Sequence, residues 1–114
     1  MSSTSKAPLP RIASGSRHLA AAATEWQATE TPGFWIKPLL DDGAGGTTML
    51  MRMDPGAFSP SHSHDRLEEI LVLDGEFTDD DRTHKAGDYC LRAIGAPHVA
   101  ATKTGCTMLV VYRK

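Results

Sequence analysis

Cysteine is scarce in this 114-residue sequence: only Cys90 and Cys106 occur, and they form no Cys-x-x-Cys pair. Two reduced, partly buried thiols are therefore expected, rather than a disulfide framework. Long apolar runs are also missing, and none approaches the ~18 residues of a membrane helix. Lys6, Arg11 and Arg17 precede the alanine run Ala20 to Ala23. That run falls short of the ~7–15 residues of a signal-peptide core, so a cytoplasmic protein with no membrane partner is expected. Charge of one sign is lacking too. The formal net charge is −2 with acidic and basic residues mixed, which argues against a nucleic-acid groove or a polybasic membrane patch. Helical periodicity is almost absent, and there is no internal repeat. The length suits one domain with a hydrophobic core of its own.

What the chain does have is short strands punctuated by turns. Residues 1–25 are read as a flexible N-terminal arm. It is rich in Ser, Pro, Gly and Lys up to about Arg17, and one or two helical turns are expected between His18 and Glu25. Trp26 is the first large apolar anchor, and the domain is expected to occupy 26–114. Phe34 to Leu40 reads as a strand in which Pro38 demands an edge or a bulge. Asp41 to Gly46 is a solvated loop, and Thr47 to Met53 a strand carrying Met49, Met51 and Met53 on one face. Turns follow at Asp54 to Gly56, at Asp74–Gly75, at the aspartate tip Asp79 to Asp81, at Ala86 to Asp88 and at Gly95 to Pro97. Strands are expected over Glu69 to Leu73, from Glu76, over Tyr89 to Ile94, over Val99 to Thr102 and over Thr107 to Tyr112. A turn signal every 8–12 residues predicts an all-β sandwich or barrel, whose closure removes exposed edges.

Within that frame, Gly56 to Gly75 carries the chemistry. His62 and His64 lie two apart and Glu68 follows at the same parity, so all three point to one face of an extended strand. Glu69 points the other way, which favours Glu68 as the ligand, although a bulge would reset the parity. His98, on a later hairpin, offers a third imidazole. A lone His-x-His on a β surface usually means nothing, but this combination is hard to reach by chance. Imidazole and carboxylate together suit Zn, Fe, Mn, Ni or Cu. Three histidines and one carboxylate leave open positions on a six-coordinate ion, and the same residues also make a closed zinc site. His84, near the aspartate tip, is read as a surface histidine, and His18 carries no argument. Met49, Met51, Phe58, Tyr89 and Ile94 are the expected pocket walls.

At these residues the chain resembles the cupin superfamily. The first cupin motif runs Gly, five residues, His-x-His, three or four residues, Glu, six residues, Gly. Gly56, His62, His64, Glu68 and Gly75 match it throughout. Gly87, Gly95 and His98 match the second motif, while Ala93 and Thr102 replace its proline and asparagine. Neither position is a metal ligand in the family. Glu68 to Asp79, Ala86 to Tyr89 and Gly105 to Val110 look like the cupin domain of ChrR-type zinc anti-sigma factors. Stand-alone relatives include acetylacetone-cleaving-type dioxygenases.

The resemblance implies a single-domain double-stranded β-helix, or jelly roll, that is often a homodimer. It further implies one divalent metal ion (Fe, Zn, Ni or Mn) on His62, His64, Glu68 and His98, with a small-molecule ligand beside it. Two functions follow. One is a dioxygenase-like enzyme acting on a β-dicarbonyl or hydroxy-ketone, with Glu68 as a ligand or a base. The other is a zinc-binding sensory module of the ChrR type, although some 25 residues before the barrel are too few for a sigma-binding helical domain. A storage or structural cupin is a third.

Overall fold

The computed structural model describes residues 7–80 and 82–114. Residues 1–6 of the expected arm, and Asp81 of the aspartate tip, lie outside the described residues. The strands are β1 (Leu9–Pro10), β2 (Gln27–Ala28), β3 (Phe34–Asp41), β4 (Thr47–Met53), β5 (Phe58–His62) and β6 (Leu67–Thr78). They continue as β7 (Thr83–Lys85), β8 (Tyr89–Arg92), β9 (His98–Ala101) and β10 (Cys106–Arg113). The one helical turn among the described residues is 3₁₀, over Ala21–Ala23. This all-β arrangement is the cupin jelly roll, as expected.

The strands make two sheets that share β6. In the first, β3, β4, β10, β6 and β8 run antiparallel in that order, and β1 and β2 both join the outer edge of β3. The second holds β5, β9, β7 and the C-terminal end of β6. Alternation drives the first sheet. Along β10, Cys106, Met108, Val110 and Tyr112 are buried, while the residues between them are half-exposed. The β4 partners of the first three are Met53, Met51 and Met49, which places the methionine stripe on the inner face. Phe77 from the other end of β6 packs into the same core at 2% exposure, a burial worth about 2–3 kcal/mol.

β6 reaches both sheets because it is bulged. Opposite Thr107 and Met108 its register skips Leu73, so Glu68, Ile70 and Val72 face inward before the skip and Phe77 faces inward after it. Asp74–Gly75, expected as a turn between two strands, is thus a bend within one strand. Gly75 has φ +73°, and a Cβ there would stand 2.1 Å from the Gly105 carbonyl oxygen, so only glycine fits. The position after β9 is Thr102, where the family motif has asparagine. Its hydroxyl donates to the Glu76 carbonyl at 2.7 Å and accepts from the Gly105 N–H at 2.9 Å. Thr102 therefore ties the bend in β6 to the turn before β10.

Pro38, paired with Met49, falls next to the irregularity in the β3–β4 register that skips Leu39. The alanine run makes only a single turn, and the Lys37 ammonium caps it by donating to the Ala21 carbonyl at 2.9 Å. Trp26 sits beneath Lys37 and Arg52, each cation 4.8 Å from the ring centroid. Residues 7–25 are in this way laid along the outer edge of the first sheet.

Candidate metal centre

Three imidazoles meet at one end of the barrel. His62 ends β5, His98 opens β9, and the two are directly paired across the second sheet. His64 stands in the loop that leads into β6. The ring centroids of His62 and His98 are 4.3 Å apart, those of His62 and His64 4.9 Å, and those of His64 and His98 5.3 Å. One ring nitrogen from each comes within 4.8 Å of the other two. Two donors held at about 2.1 Å by one ion lie at most about 4.2 Å apart, so small ring rotations bring all three onto a single metal.

Local hydrogen bonds fix which nitrogens are available. His62 Nδ1 lies 2.9 Å from the Pro60 carbonyl oxygen and His98 Nδ1 lies 3.2 Å from that of Ala96. A carbonyl only accepts, so each Nδ1 carries the proton and each Nε2 presents its lone pair. This is how metal-binding histidines are generally oriented. Burial pushes the pKa of His64 and His98 down from the ordinary imidazole value, which favours the neutral form a metal requires.

Glu68 reaches the site from the first sheet. It is 4% exposed, with Oε2 3.5 Å from His64 Nε2 and Oε1 3.7 Å from His98 Nε2. Oε1 is buried and accepts no hydrogen bond. A carboxylate oxygen in that condition is costly unless a cation satisfies it, so the donor set fits a divalent ion on its own chemistry. Glu69 faces outward, bound by the Arg113 guanidinium and by the Tyr89 hydroxyl at 2.6 Å. The face chosen by parity is therefore the face observed, although the chain is not one continuous strand from His62 to Glu68.

Glu68 is the middle of a cross-strand row. Its neighbour on β10 is Tyr112, and on β8 it is Arg92. Burial and the Glu68 carboxylate push the Tyr112 hydroxyl well above the ordinary phenol range, so it stays protonated. Arg92 Nε lies 3.4 Å from Glu68 Oε1 without hydrogen-bond geometry and has no other acceptor. Arg92 Nη2 donates to Asp79 Oδ2 at 2.9 Å, and that same oxygen lies 2.8 Å from His84 Nε2. His84 is stacked on Phe77 and is 7% exposed. These contacts correct two expectations. Asp79 belongs to a buried ion pair and not to a solvated tip, and His84 is not a surface histidine. Asp79, His84 and Cys90 also form a second cluster of ligand atoms. Arg92 already occupies that carboxylate, and burial pushes the Cys90 thiol up, away from the thiolate a metal needs.

A cavity of about 270 Å³ opens beside the histidines, lined by both sheets. Of the five expected wall residues only Met51 lines it. Phe58, Tyr89 and Ile94 are 56%, 56% and 62% exposed and point to solvent. Met49 packs against the core one row further along β4. For Tyr89 the error was one of parity, whereas Ile94 lies in the turn beyond the end of β8. On β8 the apolar Tyr89 and Leu91 face out, whereas Cys90 and Arg92 face in. The walls are instead Met53, Phe34, Ile70, Met108 and Val110, with Arg92 and Tyr112 as the polar groups that sequence reasoning missed. No local sequence signal marks these two, because it is the β6–β8 and β6–β10 registers that bring them beside Glu68.

A jelly-roll barrel with a His-x-His pair, a glutamate and a third histidine turned toward one internal cavity defines a cupin. Within that class, the chain belongs to the ChrR cupin-like domain family, whose model matches residues 15–114. It is similar to the anti-sigma factor ChrR of Rhodobacter sphaeroides, solved in complex with SigE, at 26% identity and a TM-score of 0.70. That match covers 80% of this chain and 50% of ChrR, so the chain spans half the length of that relative. The polyketide cyclase RemF of Streptomyces resistomycificus matches at 23% identity and a TM-score of 0.75, over 86% of this chain and 79% of that one. An RmlC-like cupin of Shewanella frigidimarina matches at 22% identity and a TM-score of 0.71, over 80% and 84% of the two chains. These last two likenesses speak to the fold alone. No curated protein sequence matches the chain. No helix among the described residues is long and apolar enough to cross a membrane.

Proposed function

We propose that this cupin holds one divalent metal ion on His62, His64, His98 and Glu68, and is an enzyme acting on a small, oxygen-rich chelating substrate such as a β-dicarbonyl or hydroxy-ketone. The observation that carries the reading is the convergence of three imidazoles on a buried, unsatisfied Glu68 oxygen at the edge of an internal cavity. A bound ion, iron(II) in this reading, would supply Lewis-acid polarisation of chelating oxygens and a place for dioxygen. The chain supplies the rest. Pro60 and Ala96 hold two imidazoles in the ligating tautomer. Met51, Met53, Phe34 and Met108 exclude water from the substrate, and Tyr112 and Arg92 present hydrogen-bond donors beside Glu68. The outward Leu71, Leu73 and Leu91 support a homodimer through that face.

Elemental analysis of freshly purified protein, then dioxygen uptake after anaerobic Fe(II) loading, tests this against a panel of β-dicarbonyls and hydroxy-ketones. One metal per chain and substrate-dependent uptake are expected. Loading with several metals matters, because divalent affinity follows the Irving–Williams order whatever the native ion is. The family match favours a second reading, a regulatory metal-binding module. Stoichiometric metal with no turnover by any ion across the panel would select it.

A further inference from the structure

We infer that Arg92 selects an anionic ligand for the metal centre, so that the cavity takes a small O,O-chelator carrying a negative charge, either a carboxylate beside a hydroxyl or an enolate. The inference rests on the proposed metal site and narrows its substrate class.

Charge balance carries the first part. Glu68 offsets one of the two charges of a divalent ion held by neutral imidazoles, while Arg92 and Asp79 offset each other. One positive charge is left in a cavity walled by methionine, phenylalanine, isoleucine and valine side chains. Such a charge is costly to leave uncompensated away from water, and an anionic chelator removes the cost. A neutral hydroxy-ketone does not.

The geometry of Arg92 carries the second part. Its Nη2 is pinned by Asp79, which is itself backed by His84, so the guanidinium is held in place from behind. Arg92 lines the cavity, and its Nε–H is buried with no hydrogen-bond acceptor. The nearest oxygen is Glu68 Oε1, 3.4 Å away and out of hydrogen-bond alignment. Once Glu68 is committed to a metal, that N–H needs an oxygen from something in the cavity. A planar guanidinium edge suits a carboxylate or enolate oxygen, and the bond would be charge-assisted. The volume of about 270 Å³ corresponds to roughly nine waters, enough for a ligand of a few carbons.

The test uses the full chain loaded with Co(II), whose visible absorption reports the ligand sphere, titrated with lactate, with acetylacetone at a pH where its enolate is the dominant form, and with neutral hydroxyacetone. Wild type is expected to take one Co(II) per chain and to respond to at least one of the two anions at concentrations at least 10-fold below hydroxyacetone. Arg92→Met is expected to keep its Co(II) while its affinity for that anion falls about 10- to 100-fold. Arg92→Lys should recover part of the loss. The stronger anion tells carboxylate from enolate. Equal responses to anions and to hydroxyacetone in wild type would overturn the inference without any variant having to fold. Undiminished anion affinity in Co(II)-loaded Arg92→Met would overturn it too, with the metal site standing. A wild type that binds no Co(II), or a His62→Ala variant that binds it equally well, would instead remove the metal-site reading and this inference with it.

Discussion

Asp79 and Asp80 are adjacent in sequence and opposite in consequence. Asp79 Oδ2 receives Arg92 Nη2 at 2.9 Å and lies 2.8 Å from His84 Nε2, while Oδ1 accepts the Arg82 backbone N–H at 3.0 Å. The Asp79 and Arg92 side chains are 6% and 12% exposed, so the pair is buried. Asp79→Ala would strip the buried guanidinium of its hydrogen-bonded partner and leave it only Glu68 Oε1, 3.4 Å from Nε and out of alignment, a change that costs up to about 3–5 kcal/mol. The lost N–H acceptor at the hairpin lies within that range. Asp80 is exposed, and Asp80→Ala should stay within about 0.5 kcal/mol of wild type. For a domain of this size the first change corresponds to a melting temperature lower by roughly 12–20 °C, the second to almost none. Urea unfolding of the metal-free protein measures both without interference from ligand binding. Arg92→Met with Asp79→Ala removes both members of one pair, so the double variant should be less destabilised than the two single losses added together. Asp79→Ala unfolding within 0.5 kcal/mol of Asp80→Ala would show that the buried pair contributes nothing to stability.

Gly75→Ala forces a left-handed residue and a Cβ against the Gly105 carbonyl, and should cost at least about 2 kcal/mol by thermal melting. His62→Ala and His98→Ala should each lower bound metal, read by elemental analysis, by at least 10-fold at limiting metal. If both leave metal content intact, the donor assignment is wrong. Burial pushes the Cys106 thiol up to about 11 from 9, so the folded chain keeps its proton after the unfolded chain has released one. The resulting stability is complete below about pH 9 and is lost as pH rises toward 11. Urea midpoints at pH 8 and 10.5 should therefore differ by more in wild type than in Cys106→Ala.

The fold was legible because its signals are local. β4 runs over Thr47–Met53 as the alternation predicts, β10 exceeds its expected bounds by one residue at each end, and Pro38 sits at the expected irregularity. The spacing of His62, His64, Glu68 and His98 likewise brought the intended groups together. Parity arguments failed wherever a bulge or an inverted pattern intervened. The skip at Leu73 made one strand of what reads as two, and the bulge between Ser59 and His62 put Phe58 outside while both Ser59 and His62 face in. On β8 Tyr89 and Leu91 face out, while Cys90 and Arg92 face in beside Ile70 and Glu68 of β6.

That inversion on β8 follows from Glu68. A glutamate at an inward position of β6 introduces a negative charge into a row otherwise filled by apolar side chains. The next strand in the sheet must then offer a cation at the paired position, and register places Arg92 there. Arg92 brings its own charge, which Asp79 at the far end of β6 and His84 on β7 absorb. The row from Tyr112 through Glu68 to Arg92, continued by Asp79 and His84, is thus one electrostatic unit spanning both sheets, though its members are scattered over some 45 residues of sequence. No window of sequence contains it. It becomes visible only when the β6–β8 register turns Glu68 and Arg92 into neighbours, which is why His62, His64, Glu68 and His98 could be named as candidates beforehand and Arg92 could not.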